Sequence, residues 1–146
     1  MKKILQWIGI GTLALLVVSG VWAFLGFNQA GKLSPSVEQF VDRFYIHMNS
    51  GRYHEIYDGM STEEFRRSVG YPKFEKFERG ITEKLGKVTQ RTKGPWRIFR
   101  GTGGLFFSVR YATVRERGKA TEDFNLKREG DVWKIYGYNV NSAELL

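Results

Sequence analysis

A chain of 146 residues without a cysteine excludes disulfides and a lipid-modified N-terminal cysteine, so a domain outside the cytoplasm would rest on its core alone. The formal charge is +8, from 23 Lys and Arg against 15 Asp and Glu, and Lys2 and Lys3 are the only charges in the first 27 residues. The remainder therefore carries 21 − 15 = +6, a bias that favours anionic partners.

The first element is an uncharged apolar run from Ile4 to Phe27, interrupted only by Gln6, Thr12 and Ser19. As a helix it would reach about 36 Å, enough to cross a hydrocarbon core of about 30 Å. Two lysines before it set the N-terminus in the cytoplasm. The expectation is a signal anchor over 1–27, a linker over 28–33 and a folded domain over 34–146. The chain would then be a single-pass protein of a bacterial inner membrane, held through residues 4–27. A cleaved signal ending at Val21-Trp22-Ala23 is the alternative and would give a secreted or periplasmic protein. The run continues through Phe24, Leu25 and Phe27, which favours the anchor.

Ser34-Pro35 opens the next helix, with Ser as cap and Pro in the first turn. Val37, Phe40, Val41, Phe44, Tyr45 and Met48 form one apolar face at helical spacing. Gly51 stops it. A short helix follows over about Arg52 to Tyr57. Ser61-Thr62-Glu63-Glu64 reads as a capping box with Ser61 as cap, opening a helix with Phe65 and Val69. Gly70-Tyr71-Pro72 breaks it. A further helix carries Phe74, Phe77, Ile81 and Leu85 and ends at Gly86.

The period then changes from 3.6 to 2. Lys87–Thr92 and Trp96–Arg100 read as two extended pieces separated by Gly94-Pro95. Leu105–Arg117, Ala120–Glu129 and Val132–Asn141 are strands joined by short turns, hence antiparallel hairpins. Helices first and strands after give the α+β class, with about three helices packed on a curved four-stranded antiparallel sheet. Trp133, on the inner side of the last strand, is expected to be buried.

Several stretches resemble a known superfamily: Phe40-Val41-Asp42-Arg43-Phe44-Tyr45, Gly51-Arg52-Tyr53 with Ile56-Tyr57, Leu85-Gly86-Lys87-Val88, Glu122-Asp123-Phe124, and Gly130-Asp131-Val132-Trp133-Lys134-Ile135-Tyr136-Gly137-Tyr138. Over about residues 34–143 the chain is similar to the nuclear transport factor 2-like superfamily of cone-shaped α+β domains. Within it the chain resembles small bacterial envelope proteins of a domain-of-unknown-function branch. The superfamily includes isomerases, dehydratases, hydrolases, transport factors and secretion scaffolds, so the resemblance implies a fold and room for a pocket inside the cone, not an activity.

The chemistry-bearing residues are few. His47 and His54 are the only histidines, no metal-ligand spacing surrounds them, and neither a metal nor another cofactor is expected. Gly101-Thr102-Gly103-Gly104 precedes a strand and lacks the Lys of a phosphate loop. Strand parity puts Glu122 on the face of Phe124 and Leu126. If that face is concave, Glu122 would stand near the pocket with Tyr45, Tyr57 or His47, and a carboxylate among aromatics suits a general base. The competing assignment, preferred on the sequence, pairs Glu122 with Arg110 or Lys134 at the sheet surface. Arg91, Arg97, Arg100, Arg110, Arg115 and Arg117, interleaved with Trp96, Phe99 and Tyr111, read as a solvated basic face or as a surface for anionic lipid or envelope polymer. Their mixture with aromatics would also suit single-stranded nucleic acid, which an extracytoplasmic location excludes. A homodimer through the sheet face is a further expected contact. The resulting expectation is a membrane-anchored, non-enzymatic binding or assembly domain. The alternatives are a small-molecule isomerase or hydrolase using the pocket, and a secretion-type scaffold.

Overall fold

The computed structural model describes residues 33–146. The sheet and every site below lie within one compact unit, Glu38–Leu146. Helix α1 covers residues 33–49. Its buried stripe is Phe40, Val41, Phe44, Tyr45 and Met48, the spacing that makes one helix face apolar. Helix α2 covers residues 53–60, and its middle, Glu55–Gly59, is a π turn that turns Ile56 and Tyr57 inward.

Helix α3 is Glu63–Ser68. Its cap is Thr62, whose Oγ1 accepts the Phe65 N–H at 3.1 Å, rather than the expected Ser61. Ser61 is occupied elsewhere: its hydroxyl donates to the Tyr57 carbonyl and its backbone bridges Ile135. The Thr62 N–H also donates to the Ile135 carbonyl at 2.9 Å. Tying the loop to the sheet moves the cap one residue on. Thr62→Ala should cost about 1 kcal/mol, the usual worth of such a cap. Urea unfolding measures it, and an unchanged midpoint would refute the assignment.

Helix α4 is Tyr71–Leu85, with Pro72 in its first turn. Gly86 ends it at φ +76° and ψ −169°, a conformation open essentially to glycine alone. The chain then enters a meander of β1 (Val88–Gly101), β2 (Gly104–Arg115), β3 (Gly118–Glu129) and β4 (Val132–Asn141), antiparallel in the order β1-β2-β3-β4. The two extended pieces expected around Gly94-Pro95 form one strand. A shift in pairing between Lys93 and Trp96 accommodates them, because Pro offers no N–H to a ladder and is tolerated at a bulge. A 3₁₀ turn, Ala143–Leu145, follows.

The inner face of the sheet is alternate residues: Phe107, Val109 and Tyr111 of β2, Phe124 and Leu126 of β3, and Trp133 and Ile135 of β4, all buried. Trp133 is buried as expected, its ring 5.9 Å from that of Phe107.

Three expectations need correction. Four helices, not about three, precede the sheet among the described residues. The sheet does not curl or close into a cone: β1 pairs only with β2, and β4 pairs with β3 and, at Ile135 alone, with the Ser61–Thr62 loop. Among the described residues no helix is long and apolar enough to cross a membrane. The Ile4–Phe27 run lies outside them. The anchored reading, its inner-membrane location and its lipid and envelope-polymer partners therefore have no support in the fold and are set aside. The homodimer goes with them: the centre of the outer sheet face carries the Ser108–Asn125 hydrogen bond and the Arg110–Asp123 ion pair, which a self-pairing face would have to desolvate.

Candidate functional site

Two acidic side chains lie completely inside the domain, Glu78 and Glu122, and their environments are opposite. Glu122 stands on the inner face of β3. Its Oε2 accepts from the hydroxyls of Tyr45 at 2.8 Å and Tyr138 at 2.6 Å. Its Oε1 accepts from Thr113 at 2.9 Å and from Arg115 Nε and Nη2 at 3.1 and 2.7 Å. Arg115 has a fully buried side chain and also donates to the Gly86 carbonyl at 3.1 Å. Burial works against the Arg115 charge, but Glu122 outweighs it and holds the guanidinium more firmly protonated than usual. Burial, and next the negative charge of Glu122, push the phenols of Tyr45 and Tyr138 well above their ordinary range. Both therefore stay donors. Glu122 has no lone pair to spare for a ligand, and its role is to tie α1, β2, β3 and β4 together.

Glu78 has none of this support. Helix α4 buries Phe74, Glu78, Ile81 and Leu85, spaced 4, 3 and 4 apart on one face. A carboxyl thus occupies a core position. Both of its oxygens are buried without a hydrogen-bond partner. Burial, and then the charge of Glu122, raise its pKa well above the carboxylate range, with Arg115 only partly opposing them. Glu78 therefore keeps its proton to higher pH than an ordinary carboxyl, and in that form it carries one O–H donor and one carbonyl acceptor, both unused.

A cavity of about 200 Å³ adjoins it, lined by Phe65, Val69, Lys73, Phe74, Phe77, Glu78 and Tyr138. Helices α3 and α4 supply most of the wall and β4 supplies Tyr138. Phe65 and Phe74 meet edge to face at 6.0 Å. Phe77, expected in the core, is 45% exposed and stands with Lys73 at the mouth. Larger hollows on the outer sheet face and beside Gln90 and Glu144, of about 440 and 640 Å³, are wide and open and contain no unsatisfied buried group among the described residues.

The structure sorts the residues singled out from sequence. Glu122 is buried, so it does not pair with Arg110 or Lys134 at the surface. It meets Tyr45, as the pocket reading expected, but as an anchor. Tyr57 is not with it: its hydroxyl lies 2.9 Å from the carbonyls of Arg66 and Val69. His47 is partly buried with Nδ1 unpartnered and is not among the partners of Glu122. Among the described residues no three His, Cys, Asp or Glu side chains gather as a metal site would need.

The six arginines do not form one basic surface. Arg115 is internal. Arg91 pairs with Asp42 at 2.5 Å, Arg110 with Asp123 at 2.7 Å, and Arg117 donates to the carbonyls of Thr82, Glu83 and Lys84 at the end of α4. Arg97 leans over the Phe99 ring at 5.6 Å. Arg100 makes no ion pair among the described residues.

Glu78 was missed in the sequence. The signal was present, since a carboxylate at position 78 falls between Phe74 and Ile81 on an otherwise apolar stripe. Phe77 took its place because it is apolar and one residue away.

No protein-family model matches the chain, and no curated protein matches it. Among solved structures, the 1.8 Å structure of Aln2 from a Streptomyces species is similar, with a TM-score of 0.47 and 11% identity over 78% of this chain and 93% of that one. That likeness is too low to bear on function.

Proposed function

We propose that this domain is a small-molecule isomerase of the tautomerising kind, with Glu78 as its acid and its base. The observation that carries the reading is the pair of unpartnered Glu78 oxygens, buried beside an apolar cavity. Leaving a polar group buried and unsatisfied costs about 1–3 kcal/mol, and a leucine would fill the same core position without that cost. Such groups mark functional sites.

A neutral carboxyl can perform the step alone. Its O–H proton goes to a substrate carbonyl oxygen. Its other oxygen takes a proton from the adjacent carbon, whose C–H electron pair becomes the new C=C bond. Glu78 ends neutral, with the proton on the other oxygen, and no oxidant or second reactant is consumed. A hydrolase needs a positioned water and a further polar group. Tyr138 cannot supply it, because its hydroxyl is donated to Glu122.

Incubation of the intact chain with cyclohexanone in deuterated water tests this. The wild type should speed deuterium incorporation beside the carbonyl, and Glu78→Gln should abolish the gain. The rate should fall as pH rises through the elevated Glu78 pKa, since the acid form is the active one. Equal exchange by wild type and E78Q would refute the assignment.

A further inference from the structure

We infer that the cavity beside Glu78 selects a molecule of about one ring whose buried end is uncharged and carries a hydrogen-bond acceptor, with any negative group left at the mouth beside Lys73. The inference rests on the reading of Glu78 as the proton-handling group and adds what that group will admit.

Size is the first argument. The cavity measures about 200 Å³. A dry apolar cavity of about 150 Å³ holds benzene, whereas pockets for drug-sized ligands run to about 300–1,000 Å³. One ring with a short substituent fills this one, and the flat walls of Phe65, Phe74 and Tyr138 suit a ring.

Charge is the second. The interior already holds the negative Glu122, and its neighbouring cation is committed: Arg115 Nε and Nη2 serve Glu122 and Nη1 serves Gly86. A ligand carboxylate at the inner wall would add a second negative charge with nothing to offset it. A ligand ammonium fares little better. It brings three donors, whereas the buried Glu78 carboxyl behind the inner wall offers one carbonyl acceptor, so two N–H groups would stay buried and unpaired. A neutral acceptor asks only for the single proton Glu78 offers. At the mouth Lys73 is exposed and makes no ion pair among the described residues, so an anionic substituent there is tolerated.

Four one-ring probes of similar size separate these cases: acetophenone, benzoate, benzylammonium and ethylbenzene. Each is titrated at pH 7 into the intact ¹⁵N-labelled chain and followed by amide shifts, with the spectrum of every variant confirming that it folds. Acetophenone should shift Phe65, Phe74 and Tyr138 and bind at least about tenfold tighter than each of the other three, the worth of one buried hydrogen bond. Glu78→Leu should lose that advantage. Glu78→Gln, whose amide keeps a donor and an acceptor, should retain it while losing exchange. Benzoate or benzylammonium binding there as tightly as acetophenone would overturn the inference and leave proton transfer at Glu78 standing. Ethylbenzene matching acetophenone would overturn it as well. Absence of binding by all four would overturn both.

Discussion

Replacing Arg115 by Met should destabilise the domain by about 3–5 kcal/mol, the usual consequence of leaving a buried charge without its partner. Arg115 and Glu122 both have fully buried side chains, so no water can replace the guanidinium. The three hydroxyls of Tyr45, Thr113 and Tyr138 would remain around the carboxylate, but neutral donors do not neutralise it. The discriminating measurement is a double-mutant cycle in urea. Arg115→Met with Glu122→Gln removes both charges and keeps an acceptor for the hydroxyls, so the double variant should be more stable than Arg115→Met alone. Losses that simply add would mean that the two side chains do not act as a pair. The same substitution bears on the basic-surface expectation: a surface arginine would cost within about 0.5 kcal/mol.

Removing the Glu78 carboxyl should do the reverse. Glu78→Leu should raise stability by about 1–3 kcal/mol at pH 7, because it deletes two unsatisfied oxygens from a core position. The pH dependence follows from the raised pKa of the folded state. Below the ordinary carboxyl range Glu78 is protonated whether the chain is folded or not, and it imposes no titration cost. As pH rises, the unfolded chain ionises first while the folded one holds its proton. Stability then falls by about 1.4 kcal/mol per pH unit until the folded group also ionises. Glu64 and Glu144 act with the opposite sign, their pKa values being held down chiefly by Lys127 and Ser142, so their contribution is lost as pH falls. The difference between wild type and Glu78→Gln cancels them. That difference should widen from about pH 4.5 upward in favour of the variant. A flat difference across that range would show that Glu78 titrates normally and has water or a partner. Stabilisation coupled to lost exchange is the trade expected of a functional group, whereas a purely structural carboxyl would be missed by the fold.

The sequence by itself determined what depends on near neighbours. Phe40, Val41, Phe44, Tyr45 and Met48 announce α1 through their spacing, Gly86 marks the end of α4, and the alternation of Phe107, Val109 and Tyr111 announces an inner strand face. Each signal spans a few residues, because helix and strand periods are properties of the local backbone. The α+β class follows from their order. Tertiary structure alone decided where the charges go. Tyr45 and Glu122 are 77 residues apart and Arg115 and Gly86 are 29 apart, and only strand register and helix packing bring them together. The same distance hid the ion pairs that break up the arginine surface. Glu78 lies between the two cases: its position on the α4 stripe was written in the chain, but whether that stripe met a partner, water or an empty apolar wall depended on α3 and β4. A buried carboxyl with nothing to bond is a statement about every element around it, which no single stretch of sequence can make.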